Sequence, residues 1–115
     1  MPSDESNPIE NKHADVIIVG GGPAGLFAAY YLCENSDLDV LLIEKGSEAL
    51  KRSCPIPKTG KCVKCNPCNI LSGIGGAGLF SDGKLNYIYK LGKTDLTQFL
   101  PRNEAQALID ETEAI

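Results

Sequence analysis

The feature that most constrains the fold is a continuous pattern between residues 15 and 44. A β-branched run, Val16–Val19, leads into the glycine turn Gly20-x-Gly22-x-x-Gly25, and a small-residue segment and a second apolar run then end at Glu44. A Gly-x-Gly-x-x-Gly string alone is common. With a strand before it, a helix after it and an acid at the end of the next strand, it is typical of a dinucleotide-binding βαβ unit. The sequence therefore predicts the α/β fold class, as the N-terminal βαβ portion of a Rossmann-like dinucleotide-binding domain.

The three glycines of this turn have separate mechanical roles. Gly20 lets the chain turn sharply out of the strand, and Gly22 has no Cβ to keep a pyrophosphate away from the backbone. Gly25 allows the helix to lie close to the strands. We therefore predict all three as cofactor-binding positions.

The helix after the turn supplies an anion site. Its first amides lack intrahelical partners and the positive end of its dipole lies there, so Pro23, whose missing N–H costs the helix nothing, and Ala24 are predicted beside the phosphates. Glu44 is predicted to accept hydrogen bonds from the adenosine ribose, and an acid there disfavours a 2′-phosphate. The neighbouring Lys45, also predicted at the site, weakens that repulsion. The alternative is a βαβ unit with a glycine-rich turn and no ligand.

Two strings carry a resemblance to known flavoproteins. Gly-Gly-Gly-Pro-Ala-Gly at residues 20–25, with Ile-Glu-Lys-Gly at residues 43–46, resembles the FAD-binding segment of two-dinucleotide-domain flavoproteins of the glutathione-reductase-like group. Gly-Gly-Ala-Gly-Leu-Phe-Ser-Asp-Gly-Lys-Leu at residues 75–85 resembles, more specifically, NAD(P)/FAD-dependent oxidoreductases called FAD-dependent dehydrogenases. The resemblance covers residues 15–90. It implies FAD as cofactor, hydride or electron transfer at the flavin, and NAD(P)H as a co-substrate, with the substrate unknown.

The resemblance also implies a role for the second glycine-rich stretch, residues 73–78. In glutathione-reductase-like flavoproteins a double glycine at the corresponding place lies against the FAD diphosphate and the flavin edge, which implies backbone contacts from Gly76, Ala77 and Gly78. No strand is predicted before this stretch, so we do not interpret it as a second nucleotide fingerprint. For Ser81, Asp82 and Lys84 two interpretations stay open. They orient the flavin or its substrate, or they form a turn that caps its own backbone.

Four cysteines fall within one Cys-, Pro- and Lys-rich insertion, residues 53–69, here called the cysteine loop. Cys54, Cys62, Cys65 and Cys68 have the spacing C-x7-C-x2-C-x2-C. These are the ligand types of a 4Fe–4S cluster, although the Cys-Pro pair precedes the triplet instead of following it, and a zinc ion held by four thiolates fits nearly as well. The cysteines can also be interpreted as redox-active thiols, or as having no role. The basic residues around the loop, Arg52 among them, offset the charge of a metal cluster or are solvated surface.

Length and composition limit what the chain does alone. It has 115 residues, of which 43% are apolar and none is tryptophan. A doubly wound dinucleotide domain needs about six strands, and only three or four are predicted here. We therefore expect a truncated domain, inactive alone, with a polar tail at residues 1–13 and the N-terminal part of an FAD-binding domain at residues 14–115.

Charge and hydropathy exclude several classes of partner. The net charge is −4, and no basic face with interleaved aromatic residues indicates nucleic acid. The first dozen residues lack the apolar stretch of a signal peptide, and the longest apolar run, Leu26 to Cys33, is too short to span a membrane. Five cysteines without an export signal indicate the cytoplasm. We expect a small-molecule substrate or an electron-transfer partner, with the oligomeric state open. The competing class is a non-catalytic module, in which the cysteine loop binds a metal or a partner and the βαβ unit is scaffold.

The periodicity predicts strands at residues 15–19 and 40–44, a helix at residues 23–34 and a helical turn at residues 48–52. The cysteine loop is expected to be irregular. Alternating apolar residues predict a further strand at residues 85–91. A capping box from Asn103 to Gln106 predicts the start of a last helix.

Overall fold

The computed structural model describes residues 13–115. The chain divides into two compact units, one ending at Ser81 and one beginning at Asp82. The predicted polar tail lies outside the described residues, except for its last residue, so its prediction stays a prediction.

The first unit opens with the predicted βαβ element. It consists of β1 (Val16–Val19), α1 (Pro23–Asn35) and β2 (Val40–Ile43). The two strands pair in parallel, in a register that runs from Val16 opposite Val40 to Val19 opposite Ile43. The predicted α/β fold class is confirmed, and the predicted bounds differ from these by one residue at a strand or helix end, which is where such bounds are least certain.

The two faces of this sheet differ in their covering. A Cβ added at Gly25 of α1 would lie 3.3 Å from Cγ2 of Ile18, so the Ile18 face is the one against α1. Side chains alternate between the faces of a strand, and the opposite face carries four exposed apolar side chains: Ile17, Val19, Leu41 and Ile43. Parallel sheets are normally covered on both faces. The face that carries Ile18 is therefore covered by α1, and the contact of α1 with this face holds the start of the helix against β1.

The rest of the first unit is made of short elements. A 3₁₀ turn (Ala49–Lys51) precedes the cysteine loop, and a second one (Ala77–Phe80) follows it. The loop itself contains α2 (Ile56–Thr59), which ends at Gly60 with a left-handed φ of 73°. The expectation of a wholly irregular insertion is therefore wrong over α2, where the left-handed glycine closes a single helical turn.

The second unit contains a hairpin and a helix. β3 (Lys90–Leu91) pairs antiparallel with β4 (Thr94–Asp95), and a 3₁₀ turn (Leu96–Gln98) leads to α3 (Arg102–Glu113). No helix among residues 13–115 is long and apolar enough to cross a membrane.

Two predictions for this unit are wrong in detail. The strand predicted at residues 85–91 is formed only at its last two residues, because alternation supplies no hydrogen-bonding neighbour, and Leu85 stays 69% exposed. The last helix begins at Arg102 after Pro101, so Asn103 already lies inside the first turn and cannot form the predicted capping box. Proline, with its fixed φ, is well suited to the start of a helix.

Candidate functional site

The turn between β1 and α1 requires glycine at two positions for internal reasons. Gly20 has a φ of +108°, which side chains other than glycine rarely tolerate, and its N–H donates to the carbonyl of Ile43 at 2.7 Å. A Cβ at Gly25 would overlap the carbonyl oxygen of Gly20. Conformation therefore explains the first glycine and close packing explains the third.

Gly22 is different, because nothing within the fold requires it. Its φ of −80° and ψ of −176° are open to any residue, and a Cβ there would meet only Cα of Gly76, at 4.0 Å. That distance is an ordinary van der Waals contact. Glycine at this position keeps a space beside the backbone that even a methyl group would fill.

The space beside Gly22 adjoins the start of α1. The first intrahelical bond runs from Leu26 N–H to the carbonyl of Gly22 at 3.0 Å. Pro23 has no N–H, so the amides of Ala24 and Gly25 have no acceptor within the helix. No side chain caps this end and no acid lies in the first turn. Two free amides and the positive end of the helix dipole together form an anion-binding arrangement.

Glu44 has a structural role that the motif does not predict: its carboxylate binds backbone N–H groups of the protein itself. Its Oε2 accepts the N–H of Gly21 at 2.6 Å, and its Oε1 accepts the N–H of Gly46 at 2.8 Å. Hydrogen bonds from Gly21, then from Gly46 and Gly73, together with the charge of Lys45, lower the pKa of Glu44, while partial burial acts in the opposite direction. The ionised carboxylate thus ties the glycine turn to the segment after β2.

These contacts use about half of the Glu44 carboxylate. A carboxylate offers about four acceptor sites, and the N–H groups of Gly21 and Gly46 each use one. That Glu44 accepts hydrogen bonds from ribose hydroxyls stays a prediction, and the ribose would share the carboxylate with the glycine turn. Lys45 is exposed and affects the site through its charge.

The structure brings the second glycine-rich stretch against the first. The N–H of Gly75 donates to the carbonyl of Gly21 at 2.8 Å. Gly76 has a φ of +68°, and a Cβ there would lie 3.0 Å from Cδ of Pro23 and 3.1 Å from Cα of Gly22. Residues 20–25, the first glycine segment, and residues 73–78, the second glycine segment, are therefore neighbours, whereas contact of Gly76, Ala77 and Gly78 with FAD stays a prediction.

The two further predicted positions of the second glycine segment face outward. Ala77 and Gly78 begin the 3₁₀ turn that ends at Phe80, and both are exposed. A Cβ at Gly78 would meet no atom within 4 Å, and its φ is not in the left-handed region. Like Gly22, it is a glycine that the protein's own packing does not explain.

Arg52 is the residue that sequence analysis misplaced. Its side chain is 5% exposed, so it is not solvated surface, and its guanidinium lies 4.9 Å from the ring centre of Phe80. Four carbonyl groups accept its N–H donors at 2.7 to 2.9 Å: those of Asn69, Ile70, Ile74 and Gly76. One buried cation thus holds the second glycine segment to the end of the cysteine loop. No local pattern marks it, because its acceptors lie 17 to 24 residues further along the chain.

The cysteine loop does not form the predicted metal site. A tetrahedral thiolate site needs four sulfurs at about 2.3 Å from a common centre. Cys54, Cys62, Cys65 and Cys68 line the same cavity, but among residues 13–115 no group of three or more His, Cys, Asp or Glu side chains is arranged to hold a metal ion. Spacing places the cysteines around one cavity without making their side chains converge, so neither zinc nor an iron–sulfur cluster fits.

The contacts of Asp82 match one of its two open interpretations. Its Oδ1 accepts the N–H of Lys84 at 3.2 Å, and its other oxygen lies 3.8 Å from Nζ of the same lysine, with both side chains exposed. A short polar side chain bonded two residues ahead is typical of a turn that caps its own backbone.

Comparison with known proteins agrees with this geometry. Residues 4–49 match the model of the Thi4 family. The chain is 57% identical over 37 residues to a thioredoxin reductase of Listeria monocytogenes (32% of this chain, 11% of that protein). It is 50% identical over 42 residues to a sarcosine oxidase subunit beta of Arthrobacter (36% and 10%).

The N-terminal part of the chain is related to FAD-dependent oxidoreductases. The chain is also 40% identical over 77 residues to an uncharacterised protein of Clostridium beijerinckii (66% of this chain, 14% of that protein). These matches span 10 to 14% of the relatives' length, so the relation covers only a small part of each relative. No solved structure matches the chain significantly.

Proposed function

We propose that this chain binds FAD by its adenosine diphosphate half at the first glycine segment, as part of an FAD-dependent oxidoreductase. The flavin would supply hydride or electron transfer, with a small-molecule substrate or an electron-transfer protein as partner and NAD(P)H as co-substrate. The protein's residues supply binding and orientation. The observation that carries the proposal is the glycine at position 22, which the fold itself does not require.

Gly22 supports a ligand because neither backbone conformation nor close packing accounts for a glycine there. Its φ and ψ suit any residue, and a Cβ would find only a contact at 4.0 Å. Gly22 is the N-cap of α1, and the residues with a capping oxygen, Asn, Asp and Ser, suit that position better than glycine. Close approach of a pyrophosphate to the backbone is a physical reason to keep the position without a side chain.

The surrounding groups suit a diphosphate. The free amides of Ala24 and Gly25 would donate to phosphate oxygens at the positive end of α1. Arg52 lies directly behind Gly76, whose carbonyl it binds, and none of the ion pairs among the described residues involves it. Its charge therefore adds to a positive potential that favours an anion at this place.

The competing class is a non-catalytic module in which the cysteine loop binds a metal or a partner. The described residues do not form a metal site, so the version of this class that binds a partner is the remaining alternative. As part of the FAD proposal, Glu44 would accept hydrogen bonds from the ribose. Gly78, which is exposed, would contact the flavin end of the cofactor.

The test is a titration of the wild-type chain and Gly22→Ala with FAD, followed by flavin fluorescence. We expect the dissociation constant of the variant to rise at least about tenfold, because a methyl group blocks close approach of the phosphates. The thermal unfolding temperature should change little, because the restriction that alanine places on the unfolded chain is opposed by the preference for glycine over alanine at a helix N-cap. FMN, which lacks the adenosine diphosphate half, serves as the ligand control and should bind neither protein tightly. Equal FAD affinity in the two proteins would contradict the proposal.

A further inference from the structure

The cysteine loop contains a group of thiols that FAD binding does not use. Cys54, Cys62, Cys65 and Cys68 line one cavity of about 110 Å³ in the first unit, and all are free thiols. Their sulfurs do not converge on a metal position. Thiols that line one cavity without forming a metal site are available for exchange with a small disulfide.

Cys68 has the environment of a reactive thiol. Backbone N–H groups of Leu71 and then Ile70 donate to its sulfur, and these bonds together with the charge of Arg52 lower the pKa of the thiol, against a smaller opposing effect of burial. Its side chain is half-buried and forms part of the cavity wall. Reactive cysteines occupy electropositive, partly exposed places of this kind, whereas buried structural cysteines are inert.

Arg52 holds the backbone next to Cys68 in place. Its Nε donates to the carbonyl of Asn69 and its second terminal nitrogen to that of Ile70, each at 2.7 Å. These are the two residues directly after Cys68, so the guanidinium holds the turn that the N–H of Ser72 closes on the carbonyl of Cys68 at 2.8 Å. No carboxylate among the described residues forms an ion pair with Arg52, so its charge is not neutralised by one.

The other thiols of the cavity can supply a second sulfur. Cys62 is exposed and accepts one N–H, from Lys64, at 3.4 Å. Cys65 is half-buried and precedes Cys68 by the Cys-x-x-Cys spacing of redox dithiols. Of the neighbours of Cys68 in the cavity, Cys65 is the one that this spacing favours for a short disulfide ring.

We propose that Cys65 and Cys68 form a redox-active dithiol that reduces low-molecular-weight disulfides, with Cys68 as the attacking thiolate. The Cys68 sulfur attacks one sulfur of a disulfide R–S–S–R, forming a mixed disulfide and expelling RS⁻. The Cys65 thiol then gives up its proton and attacks the Cys68 sulfur, which expels the second RS⁻ and forms the Cys65–Cys68 disulfide. Two protein thiols are oxidised, one small disulfide is reduced to two thiols, and the two protons end on those thiols.

The first test compares alkylation rates within one molecule. The chain is treated with iodoacetamide at pH 7, and mass spectrometry follows each cysteine. Cys33 on α1 is the internal reference, because it is exposed and lies outside the cavity. We expect Cys68 to react about threefold faster or more, since a greater thiolate fraction outweighs the lower nucleophilicity, and the difference should vanish in concentrated urea. A native Cys68 that reacts no faster than the more accessible Cys33 would overturn the proposal.

The second test identifies the pair. Wild-type chain treated with hydroxyethyl disulfide should form a Cys65–Cys68 disulfide, whereas Cys65→Ser should accumulate a mixed disulfide on Cys68. Cys68→Ser should remove the fast reaction, and Cys33→Ser is the matched control that should leave it unchanged. A lasting mixed disulfide in the wild-type chain, or a disulfide that omits Cys68, would refute the assignment. No flavin is present in either test, so the outcome is independent of the FAD proposal.

Discussion

The two glycine segments share the spacing Gly-x-Gly-x-x-Gly, yet residues 20–25 lead into a 13-residue helix and residues 73–78 into a 3₁₀ turn of four residues. In the first segment, the amides at the start of the helix lack partners and the space beside Gly22 is open. In the second, backbone groups are used internally. The N–H of Gly75 binds Gly21, and the carbonyls of Ile74 and Gly76 bind Arg52.

The comparison teaches that the same spacing of glycines can serve two purposes. The first segment keeps donors available for an anion, which is what a receptor for phosphates needs. The second uses its glycines to bring backbone close to backbone. A Cβ at Gly73 would lie 2.8 Å from the carbonyl oxygen of Ser47, and one at Gly46 would lie 2.5 Å from N of Gly73. The second segment therefore acts as a support for the first.

The largest expected effect comes from Gly25→Ala. The added Cβ would overlap the carbonyl oxygen of Gly20, so α1 must move away from β1, at a cost of about 3 kcal/mol or more in the free energy of unfolding. Urea denaturation followed by circular dichroism measures it. Gly22→Ala is the matched control, with no loss expected. Equal midpoints for Gly25→Ala and the wild type would show that the first segment is not closely packed.

The next largest effect is expected from Arg52→Met, which tests whether the second glycine segment supports the first. Four carbonyl groups lose a charged donor, and we expect a loss of about 3 kcal/mol, since each bond to a charged group is worth about 1.5–3 kcal/mol and the buried charge is also removed. Hydrogen exchange should speed up at residues 73–76 more than in β1 and β2. Lys51→Met, an exposed neighbour, is the control. Uniform acceleration across both segments would contradict the division between them.

A smaller effect separates the ligand contacts of the two segments. Gly22→Ala should weaken binding of both FAD and ADP by about tenfold, whereas Gly78→Ala should weaken FAD alone, by about threefold, if the second segment contacts the flavin end. Isothermal titration calorimetry with both ligands measures this. A loss of ADP affinity in Gly78→Ala would instead place the adenosine diphosphate at the second segment.

The smallest effect concerns pH. The pKa of Glu44 is lowered by the N–H of Gly21 and then that of Gly46, so the charged carboxylate stabilises the folded chain above its unfolded pKa. That contribution is lost as pH falls through the lower folded value. The difference in melting temperature between the wild type and Glu44→Gln should therefore be largest above about pH 5 and shrink toward pH 3.

Asp95, in the second unit, also contributes to the pH dependence of stability, and its contribution must be separated from that of Glu44. The pKa of Asp95 is also lowered, first by the side chain of Thr97 and then by its backbone N–H. That contribution is the same in the wild type and in Glu44→Gln, and it cancels in the difference. A difference in melting temperature that is constant across the range would mean that Glu44 does not stabilise the turn through its charge.

Sequence patterns predicted the parts of the molecule that depend on local order. β1, α1 and β2 follow from periodicity, and the close packing of Gly25 follows from the motif. The bonds of Arg52 and of Glu44 were missed because their partners are backbone groups, which leave no residue-type signal, and all of them except Gly46 lie 17 or more residues away. The strand at residues 85–91 and the metal site failed for a related reason. Alternation does not supply a pairing partner, and spacing does not fix where cysteine side chains point.

The most direct measurement of the central claim is the change in backbone amide NMR signals of the chain during titration with FAD. The largest shifts should occur at Ala24 and Gly25, with a smaller response at Gly76, and all should follow the affinity found by fluorescence. Largest shifts within the cysteine loop or the second unit, with the signals of residues 20–26 unmoved, would show that FAD does not bind at the first glycine segment.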